Sequence, residues 1–449
     1  MQTEVNKNQN FFQSNTAKML MVGLLTLVLL IPLVFVQNLI QERSERKNEV
    51  VNEVSETWGK DITFYGPILK IPYKSYSEVS ITNPTTKQME IEKKATVEYA
   101  YFFPDKLKNT SNIKKEVPLK RSLYDYVAFS ASMKFEGSFS KPDFENLQID
   151  PEDILWEKAS IVVRTTNLKS IKSDLNIKLN SQPFLFESKT ISDKIYGELE
   201  TKLFNYSNIS ANNALNFDFS ILYNGSNSVK FIPIGKSTQV SIDSNWDSPS
   251  FEGSFAVEGA TKKITKDGFH ADWKIFQINR PFSQQHLNSI PNLDTFSFGV
   301  KLIETVDEYQ QNERVTKYGF LVIGLTFLVF FLIQVISKIK IHIFQYTMIG
   351  LALIMFYTLL ISITEHSSFQ IAYLIASISV IVMIVLYSIS IVKNKKFSLL
   401  IGASLTALYT FIYVIIQLEN YALLVGSIGL FLILAAIMYF SRKIDWETN

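Results

Sequence analysis

The 449-residue chain has no cysteine. That absence excludes disulfides, thiolate metal sites, thiol nucleophiles and cysteine-held iron–sulfur clusters. It does not fix the compartment, because a long segment can bury a core without covalent staples. Histidine is scarce too. The four are His270, His286, His342 and His366, and none stands in a His-x-x-x-His or Glu-x-x-His spacing. A zinc site is therefore not expected. No Gly-x-x-x-x-Gly-Lys loop, no Gly-x-Gly-x-x-Gly after a strand pattern and no nucleophile elbow occurs. The formal net charge is only +2. No basic tract is interleaved with aromatics, so nucleic acid is not an expected partner.

Charge is also missing locally. Six stretches contain no Asp, Glu, Lys, Arg or His: Met19–Val36, Tyr318–Ile336, Tyr346–Ile363, Ile371–Ile391, Phe397–Leu418 and Tyr421–Phe440. A hydrocarbon core about 30 Å thick is crossed by roughly 18–25 such residues in a helix. The chain reads as a membrane protein of six transmembrane helices, with the bilayer as its first partner. The first stretch exceeds the apolar region of a cleavable signal peptide, about 7–15 residues, and no small-x-small site follows it. It reads as a retained signal anchor, with Pro32 placed to kink it.

Short loops rich in Lys and Arg stay in the cytoplasm. Lys338 and Lys340 follow the second span, Lys393, Lys395 and Lys396 the fourth, and Arg442 and Lys443 the sixth. The alternate loops carry Glu365-His366 and Glu419-Asn420 instead. The expected topology therefore has cytoplasmic tails at 1–18 and 441–449, and a large domain on the outer side. Arg43, Arg46 and Lys47 follow the first span against the rule, but Glu42 and Glu45 stand among them.

After the first span, 37–59 reads as a helical stalk that Gly59 stops. The stretch 60–317 changes to period-two alternation. Lys87–Lys93 and Ala95–Phe103 read as two strands, and Ile161–Arg164, Leu175–Leu179, Phe184–Glu187, Leu215–Ile221 and Val229–Ile232 as others. Asn224-Gly225 and Lys266-Asp267-Gly268 are hairpin signals. The expectation is a β-rich exported domain of layered antiparallel strands. Phe135-Glu-Gly-Ser-Phe139 recurs as Phe251-Glu-Gly-Ser-Phe255, a possible trace of duplication.

Several blocks taken together resemble the CreD family of bacterial inner-membrane proteins. They are Gly66-Pro-Ile-Leu-Lys-Ile-Pro-Tyr73, Lys120-Arg121 with Tyr124, Trp246–Phe255 and Gly268-Phe-His-Ala-Asp-Trp273. Closer still are Phe298–Leu302, Val306-Asp-Glu-Tyr-Gln310, Gln345-Tyr346, Gly350–Leu353, Ser362-Ile-Thr-Glu-His366, Gln417–Leu424 and Arg442-Lys-Ile-Asp-Trp446. Ser122, Ile343 and Thr305 depart from the family's habit of glycine, proline and proline. The resemblance implies a bacterial inner-membrane protein with a periplasmic domain, needed for cell-envelope integrity, tied to a two-component regulon and to colicin tolerance. It attaches no biochemical activity.

No catalytic, cofactor-binding or metal-ligating residue stands out, and no cofactor is expected. The candidate functional or docking residues are Asp307, Arg314, Lys317, Glu365, His366 and Glu419, all flanking spans. Arg314 or Lys317 is expected to lie close to Glu365. The leading reading is a non-enzymatic envelope-integrity or stress-response protein whose exported domain binds an envelope protein, lipid or cell-wall component. The alternatives are a transporter or channel formed by the helices, and an envelope enzyme with its site in the exported domain. Transport usually places ionisable residues inside spans, and these spans have none.

Overall fold

A computed structural model describes residues 15–442, apart from 83–88, 117–118, 122–123, 127, 192, 194, 211–213, 303–307, 338, 393–394 and 419–420. The chain forms two compact units. One is Val50–Thr305; the other joins Met1–Glu49 to Val306–Asn449. Helix α1 (Asn15–Trp58) is a single element. Gly59 ends it, with its N–H on the Ser55 carbonyl at 2.8 Å. Its φ is +126°, and a Cβ there would sit 2.5 Å from the Asn224 carbonyl oxygen, so only glycine fits the exit.

The β unit contains β1 (Asp61–Thr82), β2 (Met89–Phe102), β3 (Lys106–Lys115), β4 (Leu119–Arg121), β5 (Tyr124–Tyr126) and β6 (Phe129–Ser140). After these come β7 (Ser160–Thr165), β8 (Asn176–Leu179), β9 (Gln182–Lys189), β10 (Gly197–Thr201), the short helix α2 (Tyr206–Ile209), β11 (Ala214–Gly225) and β12 (Ser228–Phe231). The last strands are β13 (Ser237–Ser244), β14 (Pro249–Gly253), β15 (Lys263–Thr265), β16 (Gly268–Phe276), β17 (Gln285–Leu287) and β18 (Phe298–Leu302).

One long sheet runs β14-β18-β12-β1-β7-β10-β9-β8-β11-β6-β3-β13-β16-β15, with β2 added to β1 and β17 to β2. β4 and β5 pair only with each other. Most pairs are antiparallel, as expected, but β1 with β12 and β3 with β13 are parallel. The strand order places β1 and β6 far apart, yet the rings of Phe64 and Phe135 stack at 4.1 Å. The sheet therefore curls back over itself, and its inner faces close on one aromatic core. Phe135 also stacks on Phe219 at 4.8 Å. Alternation along β3 and β11, buried at every second residue, feeds that core.

Several local expectations change. Lys87–Lys93 and Ala95–Phe103 do not form two strands: β2 is continuous from Met89 to Phe102 because its whole length pairs with β1. Asn224-Gly225 is not a hairpin. β11 pairs with β6 and β8 while β12 pairs with β1 and β18, so the chain crosses between partners there. The Asp61 carboxylate, accepting from Asn227 at 2.7 Å and Ser228 at 2.6 Å, fixes that crossing. Lys266-Asp267 does make the tight turn, with Thr265 opposite Gly268 at φ +140°. The two Phe-Glu-Gly-Ser-Phe segments differ in role. The first lies in β6, paired on both sides, and the second runs through β14 at the sheet's edge.

The helical unit adds α3 (Glu308–Lys317), α4 (Gly319–Ile336), α5 (Ile343–Thr364), α6 (Phe369–Val392), α7 (Lys395–Gln417) and α8 (Ala422–Ser441). Among the described residues six helices are long and apolar enough to cross a membrane: α1 and α4 to α8. Gly319 and Gly350 bring backbone close to α1. A Cβ at either would meet Leu33 at 2.7 Å or Leu29 at 2.2 Å. The buried hydroxyl of Tyr346 donates to Gln334 across α4 and α5 at 2.8 Å, a neutral substitute for charge inside the bundle.

Candidate functional site

Of the residues singled out in the sequence, Asp307 and Glu419 lie outside the described residues. Glu365 caps the C-terminus of α5, its N–H on the Ile361 carbonyl, and His366 follows it, exposed, in the turn to α6. The cation beside Glu365 is Arg43 of α1, with Nε 3.6 Å from Oε1. It is not Lys317, which instead pairs with Glu313 one turn back on α3 at 2.8 Å. The reason is local. An i,i+4 partner on the same helix costs little to reach, and α1 brings Arg43 to the α5–α6 turn. Arg314 is half-buried on α3.

The same contact explains the cations that follow the first span. Arg43 meets Glu365, Arg46 pairs with Glu49 at 2.8 Å, and the Lys47 ammonium lies 5.7 Å from the Tyr309 ring centre. Gln37 of α1 donates to the Thr316 carbonyl of α3 at 3.1 Å. Arg43 is 44% and Glu365 17% exposed, so their pairing is worth about 0–1 kcal/mol and aligns helices more than it stabilises them.

In the β unit a charged cluster is largely buried and paired. Lys70 of β1 and Ser160 of β7 both donate to Glu200 Oε1 of β10, at 3.0 and 2.6 Å. Beside them Arg164 Nε meets Glu198 at 2.8 Å. The Lys70 ammonium also lies 4.4 Å from the centre of the Tyr99 ring. In sequence these residues look like the wet face of an alternating strand. β7 is covered on both faces, so the charges are inside and must be matched. His270 is held between Asp243 at 2.7 Å and Asp272 at 3.1 Å. The bond to Asp243 raises its pKa above the usual value, with Asp272 adding to the effect. Among the described residues no group of three His, Cys, Asp or Glu side chains is placed to hold a metal ion.

The feature that sequence reading missed is the outer part of the β1–β2 pair. From Lys74↔Val97 to Thr82↔Met89 the two strands pair only with each other. One face of this ribbon carries Tyr76, Met89, Ile91 and Val97, which are 52%, 82%, 70% and 54% exposed. The Tyr76 hydroxyl donates to Asp153 at 2.9 Å and tethers that face. A two-stranded ribbon is marginal in water, and an open edge invites a further strand. The signal was present in Tyr76, Met89, Ile91 and Val97, spaced by even numbers within each strand and set among polar residues.

A family model described as "Inner membrane protein CreD" matches residues 14–447. The inner membrane protein CreD of Escherichia coli strain K12 is 26% identical over 429 residues, spanning 94% of this chain and 91% of that protein. A solved Legionella pneumophila chain, described as a candidate nutrient binding protein, superposes with a TM-score of 0.25 at 7% identity. That superposition covers 51% of this chain and 77% of the other. So low a score carries no conclusion about fold or function.

Proposed function

The chain belongs to the CreD family of inner membrane proteins, and we propose that it supports cell-envelope integrity or the envelope stress response without catalysing a reaction. In this reading the β unit is periplasmic and both termini are cytoplasmic. The β unit binds an envelope component through the β1–β2 ribbon. The charge bias of the short loops supports the orientation. The ribbon carries the binding reading, because four apolar side chains share one exposed face at the end of a pair that no third strand covers.

A photoreactive amino acid at Ile91 or Tyr76, introduced into the full chain in intact cells, should form discrete adducts with an envelope component. The same probe at Lys178, exposed on β8, should form none. Adducts at Lys178 equal to those at Ile91, or none at either ribbon position, would remove the ribbon as the contact surface.

A further inference from the structure

Between α6 and α7, within the helical unit, lies a cleft of about 550 Å³. Its rim is apolar: Ile371, Leu374, Ile378 and Val382 are exposed on the surface of helices long and apolar enough to span a membrane. The solvent at that rim is hydrocarbon, so the cleft is open to lipid rather than to water. Its polar groups are graded. Gln370 and Tyr413 stand at one end, Tyr373, Tyr409 and Thr410 one turn deeper, and Ser377 and Thr406 a turn deeper again. Beyond them only Ile381 and Val382 line it. No charged side chain is present.

The hydroxyls inside are incompletely used. Tyr373 donates to the Tyr409 carbonyl at 2.7 Å, Ser377 to Leu374 at 3.0 Å and Thr406 to Gly402 at 2.8 Å, which leaves their oxygens able to accept. The Tyr409 ring lines the cleft, but its hydroxyl, like that of Tyr357, is sealed in the interior and has no hydrogen-bond partner among the described residues.

The length selects the ligand. From Gln370 to Val382 the helix rises about 18 Å at about 1.5 Å per residue, slightly more than half a hydrocarbon core of about 30 Å. A route for a transported solute would continue through; this one ends in aliphatic side chains near the bilayer midplane. We infer that the cleft holds one acyl chain of a glycerophospholipid from the leaflet at the Glu365–His366 end, with its uncharged ester oxygens beside the amide of Gln370 and the hydroxyls of Thr410 and Tyr413. The lining reads the linkage and the chain, not the headgroup.

The test uses the full-length protein reconstituted in bilayers containing diazirine-acyl phosphatidylethanolamine or diazirine-acyl phosphatidylglycerol. Adducts on Gln370–Val382 and Thr406–Tyr413 should exceed those on α8 at least fivefold with either headgroup. α8 serves as the reference because none of its apolar window is buried and it meets the same lipid. Leu374→Trp, on the exposed rim where folding is not at stake, should block the mouth and abolish the excess. Thr410→Val should reduce it while keeping the shape of the lining. Equal labelling of α8 and the cleft, an excess that survives Leu374→Trp, or labelling by only one headgroup would overturn the proposal.

Discussion

Phe135→Ala should lower the stability of the β unit by about 3–5 kcal/mol, the range for deleting a buried phenylalanine. The ring is 1% exposed and stacks against Phe64 of β1 and Phe219 of β11, with Phe231 of β12 at 6.3 Å. It thus joins strands from both halves of the curled sheet. Its loss removes apolar area and leaves a cavity that β6, paired on both sides, cannot collapse to fill. For a unit of this size each kcal/mol moves the midpoint by about 2–4 °C, so Tm should fall by roughly 6–20 °C. Thermal unfolding of the purified chain, followed by intrinsic fluorescence, measures this. An unchanged Tm would mean that the two inner faces do not share one core.

Glu200→Ala should cost a comparable amount by another route. The substitution leaves the Lys70 ammonium and the Ser160 hydroxyl without their shared acceptor. Lys70 and Glu200 are 15% and 11% exposed, so water screens them little. Removing one partner of a buried pair typically costs about 3–5 kcal/mol, whereas replacing both with apolar groups of similar size is often neutral. Lys70→Met combined with Glu200→Leu should therefore recover most of the Tm lost in Glu200→Ala. Equal losses in the single and double variants would show that Glu200 acts through shape rather than charge.

Uncharged runs of about 20 residues announce spans directly, because nothing in a water-soluble chain requires such uniformity. The Gly268 turn was legible for a similar reason, since only a few residue types suit its backbone. Asn224-Gly225 carried the same local signal but meant something different. There Asp61, distant in sequence, holds the crossing, and no turn rule contains that information. Nothing in the sequence marks Lys70, Arg164, Glu198 and Glu200 as a set, because alternation reveals a strand's two sides without revealing what covers each.

The candidate docking residues were legible as a place and not as a set of partners. Glu365 stands at the C-terminus of α5. Its pairing with Arg43 depends on α1 lying against the α5–α6 turn, which neither local segment encodes. Arg43 itself had been read as an exception to the charge rule. The ribbon was split in two at Lys87–Lys93 because mixed charge hides a strand whose two faces are both wet along much of its length.

The orientation of the β unit decides whether any periplasmic reading can stand, and the absence of cysteine makes it directly measurable. Single cysteines at Ser80 on the ribbon, at Lys189 at the end of β9 and at Lys395 at the start of α7 have no background thiol to compete with. A membrane-impermeant maleimide applied to spheroplasts should label Ser80→Cys and Lys189→Cys at once, and Lys395→Cys only after permeabilisation. Immediate labelling of Lys395→Cys, with Ser80→Cys and Lys189→Cys protected until the membrane is opened, would place the β unit in the cytoplasm and contradict the account.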